Sequence, residues 1–167
     1  MVARGKLKAI AIAPMAAVSI YSVEGLAGLG GRLVFGVAGD RYGAKRVLIV
    51  GLLIQALAIG SYPFVRELGE FYFMAVIFGT AYGGVMPLYA VLARDYFSQS
   101  IMGTVLGAAT MLSSLGMSAG PVVGGWIFDT YGGYSWLFFA SFGLAVGAMA
   151  IAFSFPRTTT QPQLQPA

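Results

Sequence analysis

The chain has 167 residues, of which 58% are hydrophobic and only 10% are charged, and its formal net charge is +4. A soluble helical protein needs polar helix faces to meet water, and the long apolar runs of this chain offer almost none, so the composition predicts an integral membrane protein. The chain has no cysteine and no histidine. We therefore expect neither an enzyme nor a cofactor or metal site, because disulfides, thiolate ligands and the commonest general base are all excluded.

A helix needs about 20 predominantly apolar residues to cross the hydrocarbon core of a membrane. Runs of about this length are, in chain order, Met15 to Ala38, Val47 to Val65, Phe71 to Ala93, Ile101 to Phe128 and Trp136 to Phe155. Short, turn-like segments that carry most of the charge separate them. The sequence therefore predicts an all-α, multi-span bundle of five antiparallel transmembrane helices over residues 15–156.

The two ends of the chain differ from this predicted bundle. Residues 1–14 carry three bases, and they are either a charged start of the signal-anchor type or the continuation of a larger membrane protein whose preceding helix is missing. We favour the second interpretation. A cleavable signal peptide fits less well, because the apolar run continues far beyond a normal cleavage site. Residues 157–167, RTTTQPQLQPA, are polar and rich in Pro and Gln, which predicts a disordered tail.

Basic residues set the expected orientation, because loops that stay cytoplasmic carry an excess of Lys and Arg. The loop after the first run contains Arg41, Lys45 and Arg46, the loop after the third contains Arg94, and the tail contains Arg157. These segments are predicted to be cytoplasmic. The N-terminus would then lie outside despite its bases, and this conflict is what favours a missing preceding helix. The bases form no stripe with interleaved aromatics, so no nucleic-acid partner is predicted.

Residues 36–46, GVAGDRYGAKR, place an acid, three bases and three glycines between two apolar runs. A helix ends here, Gly39 or Gly43 permits a left-handed turn, and the bases lie near the negative end of the helix and the anionic leaflet. The positive-inside rule alone accounts for the bases. It does not account for Asp40 or for the spacing of the glycines.

This string, Gly36-x-x-x-Asp40-Arg41-x-Gly43-x-Lys45-Arg46, resembles the signature loop of the major facilitator superfamily of secondary transporters. A second string from residue 120 to residue 134, GPVVGGWIFDTYGGY, resembles the connection between the last two helices in monocarboxylate and oxalate/formate-type members. The resemblance covers about residues 12–156. It implies a partial C-terminal half of the major facilitator fold, comprising helices eight to twelve.

The resemblance also implies that the signature loop forms a charge cluster that holds neighbouring helices in one access state. The residues of this gating charge cluster would be Gly36, Asp40, Arg41, Gly43, Lys45, Arg46 and Arg94. The alternative is that the bases only determine topology.

Arg32 lies well inside the first apolar run, where a lipid-facing charge costs roughly 2.5–3.5 kcal/mol. Gly28 and Gly36 flank it at four-residue spacing, so we expect this face of the helix to point into the bundle. A guanidinium suits bidentate binding of a carboxylate. The resemblance implies that Arg32 binds the substrate carboxylate, and the alternative is a structural arginine paired within the protein.

Glu24 is the second charge in this run and the second candidate substrate-binding residue. It precedes Arg32 by eight residues, which separates the two by about 80° around the helix and about 12 Å along it, so they cannot pair directly. Glu24 could carry a proton or could face interfacial water. Gly28 replaces the aspartate usual in proton-coupled monocarboxylate members, and the fourth run lacks the lysine of oxalate/formate members. The substrate and the coupling ion therefore stay open.

Glycine pairs at small-x-x-x-small spacing predict close helix packing. They are Gly79/Gly83, Gly103/Gly107, Gly116/Gly120/Gly124 and Gly143/Gly147. Pro87 and Pro121 lie inside runs, where they would loosen the backbone hydrogen bonding.

These observations predict a multi-pass protein of the cell membrane, either plasma or bacterial inner membrane. Its expected function is transport of small, monocarboxylate-like organic anions by alternating access, as the C-terminal part of a secondary transporter. Its expected partners are membrane lipid, the anion and a missing N-terminal transporter half. The alternatives are a non-transporting truncated fragment, an accessory membrane subunit, or a facilitator of the drug-efflux type.

Overall fold

The structure is a computed structural model, and it describes residues 14–155. Within this range the chain forms five α-helices: α1 (Pro14–Tyr42), α2 (Ala44–Ser61), α3 (Leu68–Tyr96), α4 (Met102–Tyr131) and α5 (Ser135–Ser154). Two short 3-10 helices, Tyr62–Phe64 and Gln99–Ile101, lie in the connections. The all-α class is confirmed. The predicted tail and nearly all of the predicted N-terminal segment lie outside the described residues.

Four helical segments of the described range are long and apolar enough to cross a membrane, which makes the chain a multi-pass integral membrane protein. They are Ala44–Phe64, Leu68–Tyr96, Gln99–Tyr131 and Ser135–Ser154. Helix α1 has 29 residues but is not among the four. Its charged residues, Glu24, Arg32, Asp40 and Arg41, lower its hydropathy. That α1 also crosses the membrane therefore stays a prediction.

Helix α3 lies at the centre of the packing. Helix α1 packs along it, α2 contacts α1, α3 and α5, and α4 makes few contacts with the rest. The buried core joins Phe35 of α1, Leu48 and Leu52 of α2, and Val85 and Leu88 of α3. Because lipid is as apolar as these side chains, their packing stabilises the bundle chiefly through van der Waals contact.

Helices α1 and α3 approach each other at backbone distance. A Cβ added to Gly79 would lie 3.0 Å from the Cα of Glu24, and one added to Gly31 would lie 2.9 Å from the Cα of Thr80. Gly83 likewise faces the backbone of Gly28. No side chain larger than hydrogen fits at these positions without moving a helix, so the close packing predicted for Gly79 and Gly83 is confirmed.

Helix α4 is mostly exposed, and its buried residues are Gly124 and Ile127. Within residues 14–155, a Cβ added to several glycines of α4 and α5 would meet no atom of another element within 4 Å. These glycines are Gly103, Gly107, Gly116, Gly120, Gly143 and Gly147. The close packing expected there is not observed in the described part of the chain. Pro87 and Pro121 do lie inside α3 and α4, as predicted.

Aromatic contacts mark the two ends of the bundle. At one end Tyr62, after α2, stacks on Phe138 of α5 with ring centroids 5.6 Å apart and lies 6.5 Å from Phe71 of α3. At the other end Tyr96 of α3 lies 5.5 Å from Phe155, which follows α5. The final residues of α3 and α5 therefore share one end, as expected when each helix runs antiparallel to the next one in the chain.

Candidate functional site

The connection between α1 and α2 is one residue long. Gly43 has φ 91° and ψ 132°, and its amide donates a hydrogen bond of 2.9 Å to the carbonyl oxygen of Gly39. Because residues with a side chain rarely adopt positive φ, this position favours glycine. Of the two glycines considered from the sequence, Gly43 therefore makes the turn.

Lys45 joins this turn to α5. Its Nζ donates hydrogen bonds to the carbonyl oxygens of Phe153, at 3.3 Å, and Phe155. The C-terminal carbonyls of a helix lack intrahelical partners and carry the negative end of the helix dipole. The ammonium group therefore caps α5 and holds the α1–α2 turn at the same end of the bundle as the ends of α3 and α5.

The other charged residues predicted for the gating cluster are solvent- or membrane-exposed. Asp40 and Arg41 end α1, Arg46 lies in the first turn of α2, and Arg94 lies in the last turn of α3. The guanidinium of Arg41 lies 5.9 Å from the ring centroid of Tyr42, within cation–π range. The structure brings these charges to one end of the bundle, and their gating role remains a proposal.

The glycines of the turn contact their surroundings unequally. A Cβ added to Gly39 would lie 2.9 Å from Cδ2 of Leu88 in α3. Within the described residues, one added to Gly36 would meet nothing within 4 Å. Gly39 therefore supports packing of the α1 terminus, whereas Gly36 has no packing role in this range.

Arg32 is exposed and lies beside the face of α1 that packs against α3. Gly28 and Gly31 face α3, and Arg32, one residue after Gly31, is turned about 100° away and is exposed. Of the predicted bundle-facing side of Gly28, Arg32 and Gly36, only Gly28 packs against α3; Arg32 is exposed and Gly36 meets no neighbour within 4 Å among the described residues, so for these two it stays a prediction. The residues of α1 that pack against other helices form a stripe in which the spacing alternates between four and three residues. The stripe therefore departs from the strict four-residue spacing of Gly28, Arg32 and Gly36. This stripe contains Glu24, Gly28, Gly31 and Phe35.

Glu24 is half-buried, and its backbone lies against Gly79 of α3. Sequence reasoning did not single out Gln55 of α2, whose Nε2 atom is buried and has no hydrogen-bond partner among the described residues. The signal was present, because Gln55 is the one amide in the apolar run from Val47 to Val65.

A multi-pass helical bundle with a glycine-built helix interface and a charged turn at one end is compatible with a membrane transporter and with other helical membrane proteins. The Major Facilitator Superfamily model matches residues 7–167. The chain belongs to this superfamily, and it is a transporter-family protein and not an enzyme.

Relatives of known name match part of the chain. A bicyclomycin resistance protein homolog of Haemophilus influenzae is 24% identical over 128 residues, 77% of this chain and 32% of the relative. The multidrug resistance protein MdtG of Salmonella arizonae is 29% identical over 113 residues, 68% of this chain and 28% of the relative. The uncharacterized major facilitator transporter YuxJ of Bacillus subtilis is 33% identical over 105 residues, which are 63% of this chain and 27% of the relative. The chain thus spans about a third or less of these relatives, and none of the three names supports monocarboxylate specificity.

Proposed function

We propose that the chain is the C-terminal part of a facilitator that exports drug-like small molecules by alternating access. The observation that carries this proposal is its similarity to two proteins named for drug resistance, over 77% and 68% of the chain. Drug efflux, one of the alternatives considered from the sequence, is therefore preferred to monocarboxylate transport.

The contact between α1 and α3 supports this proposal chemically. Phe78 and Tyr82 of α3 stack with ring centroids 5.8 Å apart, and Gly79, between them in sequence, abuts the backbone of Glu24. An organic cation combines apolar surface with positive charge, so both aromatic faces and a carboxylate attract it, and α3 and α1 supply these groups. We propose Glu24 as the residue that attracts such a cation or carries the exchanged proton.

Alternating access needs a second wall around the substrate. Secondary transporters of this kind place the substrate between two repeats near the membrane midplane. We propose that this chain works with an N-terminal transporter half, and that the charge cluster at the Gly43 turn biases the access state.

An accumulation assay tests the proposal. Cells that lack their main exporters would express the chain together with an N-terminal facilitator half and be loaded with a fluorescent organic cation. We expect lower accumulation than in cells with the N-terminal half alone, and loss of this difference with Glu24→Gln. The matched control is Glu67→Gln, because Glu67 is exposed at the N-cap of α3. Equal accumulation with and without the chain, at verified membrane abundance, would contradict the proposal.

The second candidate function is transport of small organic anions. One observation favours it, the presence of Arg32 in the middle of α1. A charge within a membrane-spanning helix is costly and usually has a function. The exposed side of α1 that carries Arg32 would then face the substrate, and the guanidinium would bind a carboxylate.

A further inference from the structure

A groove of about 320 Å³ lies between α1 and α2. Val34 and Ala38 of α1 and Val50 and Ile54 of α2 form its apolar wall, and Tyr42 and Arg46 lie at the end nearest the Gly43 turn. From Val34 to Tyr42 the helix rises about 12 Å. The groove surface is therefore long and wholly apolar, and the polar groups of Tyr42 and Arg46 lie outside that surface.

The groove is open along its side. Val34 is 62% exposed and Val50 is 52% exposed within the described residues. In a multi-pass membrane protein such a surface meets lipid chains unless another protein segment covers it. The polar end, by contrast, lies at the turn where three bases, Arg41, Lys45 and Arg46, fall within six residues.

Of these bases, Lys45 caps α5. The other two are Arg41 and Arg46. Arg46 lines the groove itself, and Arg41 lies over the ring of Tyr42, 5.9 Å from its centroid. Asp40, the neighbouring acid, is exposed at the end of α1. The polar end therefore has an excess of positive charge beside an apolar wall.

We propose that this groove binds one anionic phospholipid, with an acyl chain along the apolar wall and the phosphate at the guanidinium of Arg46. Arginine donates two parallel hydrogen bonds to phosphate, and tyrosine is suited to the boundary between apolar and polar layers. Basic sites between helices on the cytoplasmic side bind anionic head groups in this way. The site is independent of which substrate the transporter moves.

The size of the groove favours a lipid over a protein segment. Its volume is at the lower end of the range for small-molecule sites, about 300–1,000 Å³. An α-helix with side chains is about 10 Å across and would lie over the groove without filling it. It would also cover Arg46 with apolar surface unless it supplied an acid, and a buried unpaired charge is costly.

Lipid retention measured by native mass spectrometry tests the charge at the polar end. The full chain, purified in neutral detergent, would be mixed with equal amounts of phosphatidylglycerol and phosphatidylcholine that have identical acyl chains. We expect phosphatidylglycerol adducts to exceed phosphatidylcholine adducts by about fivefold. Arg46→Gln should remove this preference. Arg94→Gln, which removes a base at the same end of the bundle outside the groove, should preserve it.

A second variant tests the apolar wall without changing charge. Val50→Trp fills the groove and should lower retention of both lipids, whereas Leu57→Trp, at an exposed position of α2 outside the groove, should not. Equal loss of preference in Arg46→Gln and Arg94→Gln would overturn the proposal in favour of diffuse surface charge. Unchanged retention in Val50→Trp would overturn it as well. A change of oligomeric mass in Val50→Trp, with lipid adducts unaltered, would show that a second copy of the chain covers the groove.

Discussion

At the scale of single residues, Arg32 separates the two candidate functions. It is exposed and lies beside the α3-facing stripe of α1, so the close helix contact leaves it accessible from one side. An exposed guanidinium attracts an organic acid and offers no favourable contact to an organic cation. The response of the two substrate classes to substitution therefore differs.

We expect Arg32→Lys and Arg32→Ala to leave export of an organic cation within about twofold at equal protein abundance, because no favourable contact with the cation is lost. Transport rates in vesicles, normalised to membrane protein level, provide the measurement. Loss of organic-acid binding by roughly 1.5–3 kcal/mol, the scale of a hydrogen bond to a charged group, would instead support the anion candidate. Equal loss for both classes with falling abundance would indicate a structural arginine.

At the scale of helices, the α1–α3 interface can be tested by adding one methyl group. Gly79→Ala places a Cβ against the backbone of Glu24, and overpacking of this kind costs about 1–3 kcal/mol. We expect a lower Tm in detergent and lower abundance. The control, Gly116→Ala, adds the same methyl group where no other element of the described chain lies within 4 Å. A Tm lowered equally in both variants would contradict the assigned interface.

The contact between Lys45 and α5 is a second helix-scale test. Charged hydrogen bonds contribute about 1.5–3 kcal/mol where they are well formed, and a cation at a helix C-terminus adds about 0.3–1 kcal/mol. Because the chain has no natural cysteine, crosslinking of Ala44→Cys to Ser154→Cys by bifunctional thiol reagents can report how closely the turn and α5 remain together. We expect Lys45→Met to lower the yield and Arg46→Met to leave it unchanged. The opposite order would show that Arg46, and not Lys45, holds α5.

The sequence predicted the positions of the helices in the chain better than it predicted which helices contact each other. The apolar run from Met15 to Ala38 corresponds to helix Pro14–Tyr42, and the run from Ile101 to Phe128 corresponds to helix Met102–Tyr131. The helices end later than the runs because their polar ends extend beyond the apolar segment. Glycine spacing identified Gly79 and Gly83 correctly, but the same spacing in α4 has no partner in the described chain. Such spacing permits close approach without specifying a neighbour. The contact of Lys45 depends on a helix distant in the chain, and local pattern cannot predict it.

At the scale of the whole molecule, orientation in the membrane is the first property to test. Ala44 lies at the turn joined to the end of α5, and Gly69 lies in the first turn of α3, at the other end. The excess of Lys and Arg predicts that the Ala44 end is cytoplasmic. Ala44→Cys should react with an impermeant thiol reagent only after permeabilisation, and Gly69→Cys should react in intact cells. Labelling of Ala44→Cys from outside would reverse the topology.

The superfamily could be predicted from the sequence, whereas the substrate class could not. The two motifs that carried the resemblance, residues 36–46 and 120–134, include the turns after α1 and α4. Turn motifs of this kind reflect the connection of helices, which facilitators of many substrates share. The substrate is recognised by side chains of several helices together, and their mutual positions follow from tertiary packing. Arg32 and Glu24 alone were therefore insufficient to define it.

As proposed, the chain forms part of an exporter of drug-like molecules. Uptake by energised inside-out membrane vesicles tests this most directly, with the chain and an N-terminal facilitator half present and with a fluorescent organic cation and labelled lactate offered in parallel. We predict that the cation accumulates above the level in vesicles that lack the chain, that Glu24→Gln abolishes this accumulation, and that lactate stays at background. Accumulation of lactate without accumulation of the cation would contradict the claim.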